Sequence, residues 1–139
     1  MNTPTEQEKN RALLLRLIDE SFNRGDTSVI DEIVAADLKE HQRGNSGGPD
    51  GVKELVGVLR TWFPDFNMAV RDTAAVGDMV WARFTASGTN LGPVMGKPPT
   101  GKKMAVDVID IVRIEGGKIV EHWGVPDQLG MMIQLGLMR

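Results

Sequence analysis

The sequence predicts an α+β fold, a cone-like, strongly curved antiparallel sheet wrapped around N-terminal helices. Three observations lead there. Apolar residues recur at helical spacing as far as Trp62, then at a period of two from Asn67 onward. Helices followed by an antiparallel meander belong on one face of a sheet. The long apolar strands would have to bend around the first helix to bury both, and the open end of such a cone is a natural pocket.

The elements follow in order. Met1–Thr5 reads as a flexible tail. Over Glu6–Asn23, the residues Leu14, Leu17, Ile18, Ser21 and Phe22 lie at helical spacing. Gly25 ends that helix, because glycine tolerates the left-handed backbone common past a helix end. DTSVIDEIVAADL, Asp26–Leu38, predicts a short second helix with Asp26, Thr27 or Ser28 as its cap. RGNSGGPDG, Arg43–Gly51, is a loop by composition, and its Asp50 is placed to cap a third helix. In that helix Val52, Leu55, Val56 and Leu59 share a face, and Pro64 stops it after Trp62 and Phe63. Strands are predicted over Asn67–Val76, Met79–Thr89, Lys103–Ile114 and Lys118–Val125, separated by Gly77-Asp78, a Gly/Pro-rich loop and Glu115-Gly116-Gly117. Asp127–Gly136 reads as a short closing helix or turn. A length of 139 residues without internal repeat or linker fits one domain, residues 1–139.

Composition excludes several function classes. Sixteen basic against nineteen acidic residues give a net charge of −3, which argues against a nucleic-acid partner. There is no cysteine, so disulfides, thiolate metal sites and Cys nucleophiles are out. With His41 and His122 the only histidines, no metal site is expected. No apolar run follows a basic start and none is long enough for a membrane span. The expectation is a cytoplasmic protein without cofactor or membrane partner.

Several stretches resemble one family. They are FNRGD (Phe22–Asp26), His41 ahead of the glycine-rich loop, WFPDF (Trp62–Phe66), GDMVWARFTASGT (Gly77–Thr89), GKPPTGK (Gly96–Lys102) and Gly116–Gly136. In the same order they are similar to the SnoaL-like polyketide cyclases, or ester cyclases, of the nuclear transport factor 2-like superfamily. The resemblance implies the cone fold, a small hydrophobic polyketide-like substrate, and intramolecular aldol closure of a polyketide methyl ester by acid–base groups without a metal. One position departs. The family often reads Gly-Thr-His where this chain has Gly88-Thr89-Asn90, which bears on substrate contact. Because the fold hosts many activities, two alternatives stand beside the cyclase: a hydroxylation-associated or hydrolytic relative using the same pocket, and a non-catalytic small-molecule-binding protein.

The candidate chemistry sits in the terminal hairpin. With the turn at Gly116-Gly117, Asp110 is expected opposite Trp123. Alternation then puts Ile119, Glu121, Trp123 and Val125 on one face, Asp127 joining them if the strand runs on past Pro126, and Val120 and His122 on the other. On the partner strand Val106, Val108, Asp110 and Val112 share a face. Carboxyl groups among valines and a tryptophan are poorly solvated, and such groups take and return protons near neutral pH. Asp127 is the leading acid/base and Asp110 its partner, with Glu121, His122 and His41 as further candidates.

Each has a structural alternative. Asp127 could cap the last helix. Asp110 could pair with Arg83 or Arg113. Glu121 could sit at a rim, His122 could be a satisfied sheet residue, and His41 could anchor its loop. Tyrosine is absent, so the donor for an enolate oxygen must be a protonated Asp110, an indole N–H, Asn90 or a histidine. Trp62, Trp81, Trp123, Phe22 and Phe63 offer flat surfaces for a polycyclic ligand, or core packing. Asn90 and Arg83 complete the candidate substrate contacts. Ile109, Ile111 and Val120 on the outer sheet face predict a homodimer or higher homo-oligomer.

Overall fold

The computed structural model describes residues 3–138. Of the tail expected over Met1–Thr5, residues 1 and 2 lie outside the described residues. Thr5 is already the cap of the first helix, its hydroxyl accepting from the Glu8 amide at 3.1 Å. Helix α1 spans Glu6–Leu17 and runs into a wider π-helical turn, Ile18–Asn23. Together they bury the expected stripe of Leu14, Leu17, Ile18, Ser21 and Phe22. Gly25, at φ 79°, ends the run.

The second helix is much shorter than predicted. Helix α2 occupies only Ile30–Ile33, and none of Asp26, Thr27 and Ser28 caps it. Asp26 Oδ1 instead accepts from the Ser28 amide at 2.9 Å and its hydroxyl at 2.6 Å, closing a local turn. The rest of the predicted helix, from Val34 to Leu38, belongs instead to strand β1, Val34–Glu40. VAADLKE is rich in helix formers, but burial of Val34, Ala35 and Leu38 and pairing with another strand override that weak preference.

Helix α3, Gly48–Trp62, carries the predicted apolar face. Its cap is Gly47, and Asp50 lies inside the first turn, where its charge faces the positive end of the helix dipole. Strands β2 (Asn67–Val76), β3 (Met79–Thr89), β4 (Lys103–Glu115) and β5 (Lys118–Pro126) form the expected meander, and helix α4, Gln128–Gln134, follows.

The sheet order is β1-β5-β4-β3-β2, antiparallel throughout except for β1, which lies parallel to β5. Register shifts interrupt two pairs: Arg71 is the extra residue in β2 and Val120 the extra residue in β5. Such bulges bend a strand and increase its twist, which helps the sheet curve around the helices. Even-numbered residues of β3 and β4 face inward, and the buried cluster draws on every helix and strand. Two side chains tie the π-helical turn to the sheet edge. Asn23 both donates to and accepts from the Met68 backbone, at 3.0 and 2.7 Å, and Arg60 donates to the carbonyls of Phe22, Asn23, Phe66 and Pro64. Among the described residues no helix is long and apolar enough to cross a membrane.

Candidate active site

A cavity of about 420 Å³ lies between the helices and the inner face of the sheet. Its walls are mostly apolar, with Leu17, Phe22, Leu55, Met68 and Val106 among them. One end is polar, and there Glu40, Gln42, Asp110 and His122 converge from β1, the loop after it, β4 and β5.

The bulge at Val120 builds this end. Pairing next to the turn is as expected, with Glu115 opposite Lys118 and Ile114 opposite Ile119. Beyond Val120 the register has moved by one: Arg113 faces Glu121, Val112 faces His122, Ile111 faces Trp123 and Asp110 faces Gly124. The expected pairing of Asp110 with Trp123 is therefore corrected. A one-residue slip exchanges faces, so His122 turns in toward Asp110 while Glu121 and Trp123 turn outward.

The His122 ring lies between two carboxylates. Nε2 is 2.9 Å from Asp110 Oδ1, and Nδ1 is 2.6 Å and 2.8 Å from the two oxygens of Glu40. Burial alone would lower the imidazole pKa. The hydrogen bonds and charges of Asp110 and Glu40 outweigh it and raise the value to about 9. His122 is thus a cation at neutral pH, with both N–H groups occupied. Asp110 is buried, yet its Oδ2 has no protein partner and is not a sealed, unsatisfied atom among the described residues. That oxygen opens to the cavity. Glu40 was missed in the sequence because β1 was missed: the parallel pairing of Glu40 with His122 brings them together.

A second cluster occupies the outer face of the same segments. His41 Nε2 meets Glu121 Oε2 at 2.6 Å, Arg113 Nε donates to Glu121 Oε1 at 3.0 Å, and the His41 ring stacks on Trp123 at 4.7 Å. His41, then Arg113, hold the Glu121 carboxyl below its usual range. The backbone amide of His41 donates to the His122 carbonyl, so both clusters hang on one strand pair.

Other expected site residues are dispersed. Asp127 is exposed beyond the end of β5 and accepts from the Gly130 amide at 2.9 Å as the cap of α4; it does not line the cavity and is not brought to Asp110. Neither expected arginine pairs with Asp110: Arg83 bonds Asp72 and Arg113 bonds Glu121 and Glu115. Trp81 stands 49% exposed on the outer face. Asn90 is buried in its loop, donating to the Gly92 carbonyl at 2.7 Å and accepting from the Thr100 amide at 2.8 Å. Phe63 is fully buried core, whereas Phe22 and Trp62 do line the cavity. Among the described residues no group of three or more histidine, aspartate or glutamate side chains is arranged to hold a metal ion. At its polar end the site offers an open Asp110 carboxyl oxygen backed by a fixed cation.

The family model of SnoaL-like polyketide cyclase matches residues 12–135. The nogalonic acid methyl ester cyclase of Streptomyces nogalater is 30% identical over 120 residues, 84% of this chain and 90% of that protein. The aklanonic acid methyl ester cyclase DnrD of Streptomyces peucetius is 29% identical, covering 88% of each. The structure of TsrD from Streptomyces laurentii superposes with a TM-score of 0.87 at 27% identity, covering 97% of this chain and 100% of that one.

Proposed function

The chain belongs to the SnoaL-like polyketide cyclase family, and from that premise we propose that it is a polyketide ester cyclase closing a ring by intramolecular aldol condensation, with Asp110 as its acid/base. The observation that carries this is the half-engaged carboxyl: Oδ1 against the His122 cation, Oδ2 open to an apolar cavity. His122 is not the base, because it already holds its proton at neutral pH. Asp110 Oδ2 takes the proton from a carbon acidified by neighbouring carbonyls. The C–H electron pair becomes an enolate, whose carbon forms the new C–C bond to a ketone carbon of the same molecule. The carbonyl π pair moves to oxygen, and that alkoxide recovers the proton from Asp110. Nothing is gained or lost overall, so the step needs no co-reactant. Glu40 is a positioning residue, fixing the imidazolium that holds Asp110. A cavity of this volume and apolar lining suits a multi-ring substrate.

The test is conversion of nogalonic acid methyl ester or aklanonic acid methyl ester, followed by chromatography. Asp110→Asn keeps size but not proton transfer and is expected to lose at least about 10²-fold in rate. Asp127→Asn is expected to stay within a few-fold of wild type and to lose at most about 1 kcal/mol of stability as an altered helix cap. Wild type that binds both esters and converts neither removes the cyclase reading.

We also infer a homodimer formed through the outer sheet face, where Trp81, Ile109 and Val125 are exposed beside Ile111. A monomer in sedimentation at working concentrations would contradict it. The absence of cysteine suits a reducing compartment, and we place the protein in the cytoplasm.

A further inference from the structure

Ring closure builds negative charge on oxygen twice, on the enolate and then on the alkoxide, and a preplaced neutral donor lowers both barriers. The chain has no tyrosine to supply it. The donors expected from the sequence, the histidines, the indoles and Asn90, are engaged or remote. Both nitrogens of His122 face carboxylates, and His41, Trp81 and Trp123 belong to the outer face. The Asn90 amide serves the Gly92 and Trp62 carbonyls. Trp62 lines the cavity, but its backbone is tied to Leu91 and Gly92, past the end of β3. Asp110 pairs with Ala82 near the start of that strand, roughly 20 Å away along the sheet.

Gln42 remains. It lies two residues past β1 and lines the polar end of the cavity, and its carboxamide has no hydrogen-bond partner among the described residues and is not a sealed, unsatisfied group. Its position is marked by a glycine. A Cβ added to Gly124 would collide with Gln42 Oε1 and stand 2.9 Å from both Asp110 Oδ1 and His122 Cε1. The amide, the carboxylate and the missing side chain therefore share one small hollow. The oxygen and NH2 corners of the amide exchange by rotation about its last bond, so a donor can be presented there.

We propose that Gln42 is the catalytic hydrogen-bond donor for the substrate oxygen that gains charge, and that Gly124 is a positioning residue whose absent side chain leaves room for the Gln42 amide beside Asp110. This rests on the ring-closure reading. The test combines turnover with a binding probe. If wild type closes the ring, Gln42→Leu and the isosteric Gln42→Glu are expected to lose about 10²-fold or more in kcat, with KM changed less and thermal midpoints near wild type. Gly124→Ala is expected to lose a similar factor. A closing wild type whose Gln42 variants keep their kcat within about threefold overturns the proposal and leaves the cyclase reading intact.

The probe is 2-naphthol bound to the Asp110→Asn variant, which imitates the base after it has taken the proton. Absorbance separates naphthol from naphtholate. Gln42 is expected to favour the bound anion by about tenfold over the same variant carrying Gln42→Leu. Equal ionisation in the two backgrounds, or no binding of 2-naphthol, overturns the proposal even if wild type proves to convert no ester.

Discussion

At the scale of single residues, the site turns on a histidine held by two carboxylates. Its pKa rises from an ordinary 6.5 to about 9 in the folded chain. The protonated form is the one folding favours, so this contribution to stability is fully present below about 6.5 and is lost as pH rises through about 9. Urea unfolding across that range should show the loss, and NMR titration of His122 should give a midpoint near 9. Glu40→Gln is expected to lower that midpoint and to make the fall in kcat at alkaline pH begin earlier, an effect that a purely structural role would not produce. Residues of this kind were only half legible in the sequence. Asp110 and His122 stood out as polar residues among valines, but Glu40 fell just past the predicted second helix with nothing to pair it to His122, and Gln42 and Gly124 carry no signal of their own. What makes them a site is three strands meeting, which no local spacing reports.

At the scale of elements, the strands of the meander were readable because alternation is strong over Met79–Thr89 and Lys103–Glu115, where every second residue is buried. Strand β1 was not, because VAADLKE has the composition of a helix and becomes a strand only by pairing with β5. The Val120 bulge was invisible for a related reason: an extra residue leaves the local pattern intact and changes only the pairing. Packing between elements gives a sharper check at Gly88. A Cβ there would stand 2.6 Å from Phe63 Cβ and 2.9 Å from Cγ of its fully buried ring. Gly88→Ala is expected to cost about 1–3 kcal/mol as overpacking, read as a lower urea midpoint with an unchanged slope.

At the scale of the whole molecule, the helices and the sheet are joined at one corner by Asn23 and Arg60. The Arg60 guanidinium serves four carbonyls from two separate stretches of chain. Arg60→Met keeps the apolar stem and removes those bonds; a loss of about 2 kcal/mol or more is expected in urea unfolding, although the residue is far from the chemistry in sequence. The larger-scale lesson comes from the single extra residue in β5. It acts like an inserted letter in a text read in pairs: before Val120 the odd positions face the cavity wall, after it the even ones do. Two relatives that differ by having or lacking that letter would line up well residue for residue and still present opposite sets of side chains to their substrates. Roles carried across this strand by column alone would then be assigned to the wrong side of the sheet.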